Sequence, residues 1–103
     1  MAFQTTIASE AEYTGVGLHS GKEVHMRLQP AEADTGIVFV REDLPGAPEV
    51  AAVAKNVTST LRATTIEDNG IKMFTIEHLM SAFHAQQIDN CRIVIDAEEP
   101  PVA

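Results

Sequence analysis

Glu77 and His78 stand side by side where a run of strand-like and turn residues gives way to a helical pattern. The pairing has chemical potential: a carboxylate can take a proton from water, and a neutral imidazole can ligate a metal ion. Ile76, Leu79, Met80, Phe83 and Gln87 fall at i, i+3, i+4, i+7 and i+11, so four apolar side chains share one stripe of an amphipathic helix. Thr75 is expected as its N-cap, its hydroxyl accepting a bond from a free first-turn N–H. Glu77 then lies in the first turn, where the helix dipole favours a carboxylate, and the same field disfavours protonation of His78. The pair also reads as a solvated Glu and a partly buried His opening an ordinary core helix. These residues alone leave both readings open.

The other histidines do not complete a metal site. His84 is six residues beyond His78, about 600° around the helix, and points elsewhere. His19 and His25 belong to other elements. His25 sits in Glu23–Gln29, where Val24, Met26 and Leu28 alternate with polar residues, the pattern of a strand with one wet face. His25 is on the wet face.

Elements to carry the pair follow from the same patterns. Phe3 to Ser9 reads as a first strand, and Gly15, Gly17 and Gly21 mark a tight loop within Tyr13–Lys22. That loop lacks the full phosphate-binding patterns. Pro30 closes the second strand. Ile37–Val40 is a short β-branched strand, Leu44–Pro48 a loop, and Val50–Lys55 an edge strand or irregular. Thr60–Glu67 and Ile71–Phe74 form a hairpin about Asn69-Gly70 and run into the helix, which ends near Gln87. Cys91–Asp96 is an inner strand, and regular structure stops before Pro100-Pro101. The order predicts an α+β fold: a mostly antiparallel sheet with one main helix packed on one face.

Composition narrows the function. The chain has 103 residues, enough for one small domain. Fifteen acidic against seven basic side chains, a net charge of −8, argue against binding nucleic acid through its phosphates. The single cysteine, Cys91, excludes an internal disulfide and fits a reducing compartment, with a small buried hydrophobe as its role. Without an 18-residue apolar stretch or a signal-peptide pattern, the cytoplasm is the expected location and no transmembrane segment is expected.

Three stretches together resemble one enzyme family: Tyr13-Thr14-Gly15-Val16-Gly17-Leu18-His19-Ser20-Gly21-Lys22, Phe74-Thr75-Ile76-Glu77-His78-Leu79-Met80-Ser81-Ala82, and Ile88-Asp89-Asn90 followed by a strand and an acidic-proline tail. The sequence is similar, over nearly all of its length, to the N-terminal part of the UDP-3-O-acyl-N-acetylglucosamine deacetylases, the zinc amidases of bacterial lipid A synthesis. The resemblance implies two similar α+β domains facing each other across the active site. It implies one catalytic zinc and an activated water that removes acetate from the 2-acetamido group of a UDP-linked, O-acylated glucosamine. On that resemblance Glu77 is the general base and His78 one of three zinc ligands. Thr60, Leu61, Arg62 and Ala63 lie in a segment near the substrate. His19 matches a recurring histidine that is not taken as a ligand.

Zinc brings the pKa of a coordinated water down towards about 7, which suits amide hydrolysis at neutral pH. The family's other two ligands, a His and an Asp, lie downstream of this sequence. Residues 1–103 are therefore expected to be the N-terminal domain cut before its second helix, inactive alone, with apolar sheet surface that another copy could cover. The competing expectation is a non-catalytic α+β module that self-associates or binds a partner, with Glu77 and His78 as plain helix-start residues.

Overall fold

The computed structural model describes residues 4–17, 21–59 and 64–102. In chain order the elements are β1 (Ala11–Gly17), β2 (Glu23–Pro30), β3 (Ile37–Arg41), β4 (Glu49–Ala51), a 3-10 turn at Ala54–Asn56, β5 (Val57–Ser59), β6 (Thr65–Asp68), β7 (Ile71–Met73), α1 (Glu77–Ala85), β8 (Cys91–Ile95) and β9 (Pro101–Val102). Six strands form one sheet in the order β4-β3-β8-β2-β1-β9, and β5-β6-β7 form a second. All pairings are antiparallel except β3 with β8. The fold is α+β, as the order of elements predicts.

Alternation decides which face is buried. Val24, Met26 and Leu28 of β2 point to the core, as do Cys91, Ile93 and Ile95 of β8 and Ile37 and Phe39 of β3. They meet Ile66 and Met73 from the small sheet and Ile76 and Phe83 from the helix, with Leu79 and Met80 packed at the margin. The predicted apolar stripe of α1 is thus the stripe that packs. The opposite face of the large sheet carries a smaller cluster, Val38, Val40 and Val94 with Ala51. In register, Arg92 lies opposite Val38 and Arg27 opposite Val94, so both arginines stand on that face. Their heads pair with Glu49 at 2.9 Å and Glu42 at 2.8 Å, which lets the aliphatic stems lie along the valines. The exposed large hydrophobic residues among those described, Tyr13, Val16, Val53 and Val57, are spread over β1 and the approach to β5.

The hairpin is placed correctly by Asn-Gly. Asp68 pairs with Ile71, and Asn69 and Gly70 both have positive φ, 53° and 79°, as a two-residue type I′ turn demands.

Four expectations need correction. Residues 4–9 form no strand; Thr6 makes one isolated bridge with Asn90. Thr5 and Thr6 instead tether the chain after the helix: the Thr5 carbonyl accepts from Asp89 and Asn90 N–H at 2.9 and 3.0 Å, and the Thr5 hydroxyl donates to the Gln87 carbonyl. Gly15 and Gly17 lie inside β1, paired with β2 and β9, so the loop is confined to the residues after Gly17. The strand expected from Thr60 begins, among described residues, at Thr65. Finally, the proline tail does pair: β9 joins β1 through Gly17–Pro101 and Val16–Val102. It does so at the outer edge of the sheet, where a missing N–H leaves no ladder partner unsatisfied.

The helix also ends two residues early. Gln87 adopts φ 58°, and the Ile88 and Gln87 amides bond back to the Phe83 and His84 carbonyls at 2.9 and 3.1 Å. This is the Schellman closure, with Gln in the position glycine usually takes.

Arg41 was not foreseen as a special residue. It ends the apolar run of β3 and is 7% exposed. Its guanidinium forms a two-bond fork with Asp43, at 2.9 and 2.7 Å, and donates to the Lys72 carbonyl of β7 at 2.9 Å. It therefore bonds the large sheet to the small one. The Arg41 guanidinium holds the Asp43 carboxyl below its ordinary value. A depressed carboxylate contributes stability above its unfolded pKa, about 3.9, and loses that contribution as pH falls through the folded value. Asp43→Ala should cost about 1.5–3 kcal/mol in urea unfolding at neutral pH. Asp43→Asn should lack the part of the stability loss that the unaltered chain shows below about pH 4.

Candidate functional site

The site is built where the hairpin returns into the helix. Residue 76 is the N-cap, with φ −88° and ψ −5°, and no side chain caps the helix. This corrects the expectation for Thr75. That residue has φ 56°, in the left-handed region, and its Oγ1 is buried with no hydrogen-bond partner among the described residues, so it satisfies no first-turn N–H.

Glu77 lies in the first turn, as expected, but as the first helical residue, one position nearer the start than a Thr75 cap would put it, and it is half-buried. Its Oε2 accepts a hydrogen bond from the Thr64 backbone N–H at 3.0 Å. The Thr64 carbonyl in turn accepts from the Ile76 N–H at 3.3 Å. One residue thus grips the helix entry from both sides, at its backbone and at its first carboxylate. A third bond, from Phe74 N–H to the Glu98 carbonyl at 2.7 Å, ties the same entry to the acidic tail.

His78 is exposed. The burial of Ile76, Leu79, Met80 and Phe83 on one side of α1 leaves His78, Ser81 and Ala82 on an open surface. Neither Glu77 nor His78 is sealed into the sheet interface, so both remain available to a group approaching from outside. His84 is exposed in the last turn, about 600° around the helix from His78. His25 lies on the wet side of β2, its ring nitrogens 2.8 Å from Glu23 and 3.2 Å from Asp96. Cys91 is buried, and burial pushes its thiol pKa up, consistent with a packing role. Thr60, Leu61, Arg62 and Ala63, and likewise His19, lie outside the described residues.

Among the described residues no group of three or more His, Cys, Asp or Glu side chains could hold a metal ion. The donors present are one exposed imidazole next to one carboxylate. That set suits a single corner of a zinc shell, which draws on nitrogen and oxygen ligands and takes three from protein at a catalytic site.

A protein-family model described as "LpxC: UDP-3-O-acyl N-acetylglycosamine deacetylase" matches residues 4–103. The chain belongs to this deacetylase family. A UDP-3-O-acyl-N-acetylglucosamine deacetylase of Hahella chejuensis is 46% identical over 102 residues, 99% of this chain and 34% of the relative. That of Campylobacter lari is 52% identical over 99 residues, 96% of this chain and 33% of the relative. A bifunctional LpxC/FabZ enzyme of Chlorobaculum tepidum is 43% identical, with 96% of this chain covering 21% of it. The chain therefore spans about a third or less of the length of these relatives. No described helix is long and apolar enough to cross a membrane.

The Thr64 strap was not legible in the sequence, because it depends on a backbone amide. Its consequence can be measured. In Glu77→Ala, the Thr64 amide should exchange with solvent about tenfold faster, since a bond to a charged acceptor is removed. Glu77→Gln, which keeps an acceptor oxygen, should give a smaller change. Residue-resolved hydrogen exchange reads both.

Proposed function

We propose that this chain is the N-terminal part of a zinc-dependent deacetylase. The reaction is hydrolysis of the 2-acetamido group of a UDP-linked, O-acylated N-acetylglucosamine. The observation that carries this reading is the conjunction of family membership over residues 4–103 with an acid and an imidazole presented together on an open helix start.

In this reading His78 supplies one of the metal's ligands, and the others come from outside this chain. Zinc, when bound, acts as a Lewis acid that makes water acidic enough to attack an amide near neutral pH. The chain's own residues handle the proton. Glu77 Oε2 is held by the Thr64 amide, so the carboxylate is oriented rather than free to rotate. Oε1 is the oxygen left to accept the proton from the attacking water. The water oxygen bonds to the acetyl carbon, the carbon–nitrogen bond breaks, and Oε1 returns the proton to the departing amine. Acetate and the free amine result, with no net change in Glu77.

Helix position supports the assignment. The first turn favours a carboxylate at Glu77, and it presents the His78 imidazole at an exposed position from which it can reach a metal. Residues Thr60, Leu61, Arg62 and Ala63 run directly into Thr64 in sequence, so a substrate contact on that segment would lie within about one to four residues of the strap that orients the base. We assign His19 no ligand role. A buried, free cysteine suits the reducing cytoplasm as the place of this chemistry.

In a full-length family enzyme carrying these residues, Glu77→Ala should lower kcat by about 10²–10⁴-fold with zinc content unchanged. His78→Ala should instead lower zinc content and activity together. Metal analysis beside a deacetylation assay separates the two. Normal turnover by the Glu77→Ala enzyme would overturn the base assignment. The 103-residue chain alone should bind zinc weakly in calorimetry and show no turnover.

A further inference from the structure

Thr75 lies two residues before Glu77 and breaks two local rules. Its φ of 56° is left-handed, a region that β-branched residues avoid because the branch crowds the backbone. The other non-glycine residues with positive φ among those described are Asp34, Ala47, Asn69 and Gln87, none of them β-branched. The Thr75 hydroxyl is also buried without a partner among the described residues. Asparagine or glycine would avoid the first cost and any apolar residue the second. Such a conformation persists only where its surroundings over-determine it, and such residues gather at functional sites.

The surroundings here do over-determine it. The amide of Phe74 is fixed to the Glu98 carbonyl and the amide of Ile76 to the Thr64 carbonyl, so the residues on both sides of Thr75 are clamped to different parts of the chain. Between these clamps the backbone must reverse its hand within one residue to pass from β7 into α1. The angle of that reversal sets where the Glu77 carboxylate emerges relative to the Thr64 amide. Once the clamps impose the reversal, a β-branched side chain leaves few neighbouring φ/ψ values and one or two χ1 rotamers open, whereas glycine leaves the widest range.

We propose that Thr75 is a positioning residue: its clamped left-handed turn and stiff branch, not its hydroxyl, fix the direction in which Glu77 meets the Thr64 amide. The functional meaning of that direction rests on the reading of Glu77 as a base. The geometry itself does not.

Hydrogen exchange on this chain tests it without any activity. Thr75→Gly frees the turn, and Thr75→Val keeps the branch while removing the hydroxyl. In Thr75→Gly the Thr64 amide should exchange about tenfold faster, the effect expected when one bond to a charged acceptor is lost. The Ile93 amide in the central strand should stay within about twofold, which a general loss of stability would not allow. In Thr75→Val the Thr64 amide should stay as in the unaltered chain. If the glycine variant does not fold, Thr75→Asn, which accepts left-handed φ but lacks the branch, is read in the same way. Unchanged Thr64 exchange in the glycine or asparagine variant overturns the proposal, as does equal acceleration in the valine variant. In the full-length enzyme Thr75→Gly should lower kcat about tenfold at constant KM. If Glu77→Ala there keeps normal turnover while the exchange results hold, the base assignment falls and the positioning stands.

Discussion

The roll of α1 about its own axis is set by four side chains, Ile76, Leu79, Met80 and Phe83, pressed into a core that both sheets share. A nine-residue helix has little stability of its own in water, so it exists because that stripe is buried. Once the stripe is fixed, the other positions have no freedom. His78 must face outward, and Glu77 must lie at the boundary, near enough to the strand side to reach the Thr64 amide. The chemistry proposed for the pair is thus a by-product of hydrophobic burial at Ile76, Leu79, Met80 and Phe83 of the same helix. Filling that stripe imperfectly would turn the helix and misdirect both groups together.

Electrostatics has a more local part. The chain carries a surplus of acid, yet its described arginines are each matched to one carboxylate: Arg27 to Glu42, Arg41 to Asp43 and Arg92 to Glu49. The two pairs on the outer sheet face are solvent-screened and contribute little beyond the cover their stems give to valine. Arg41 differs. It is buried, forks onto Asp43 and reaches a carbonyl in the other sheet, so removing Asp43 strands the guanidinium charge away from water.

What could be read from the sequence was whatever rests on periodicity or on a residue with one dominant conformational use. The alternation of β2, the Asn69-Gly70 turn, the helix stripe and the burial of Cys91 are of this kind. So was the Glu77–His78 pair, as a position on the helix. The rest depended on contacts between distant backbone groups. Thr75 was assigned the cap by residue type, but the clamps at Phe74 and Ile76 force it into a left-handed turn that no propensity anticipates. Thr5 and Thr6 looked like strand residues and became tethers for the chain after the helix. The prolines near the end looked like the limit of regular structure, although an edge position tolerates them.

That edge has a further effect. An open sheet offers its outermost strands as templates on which another chain can grow by continued strand pairing. Here the large sheet finishes on one side in the two-residue β9, whose Pro101 has no amide hydrogen to lend, and on the other in the three-residue β4. β9 pairs only with Val16 and Gly17, so residues 11–15 of β1 have no strand partner on their outer side among the described residues. Growth by strand pairing is therefore hindered at the short β4 and at Pro101, whereas the edge of β1 over residues 11–15 is the margin that could receive another strand.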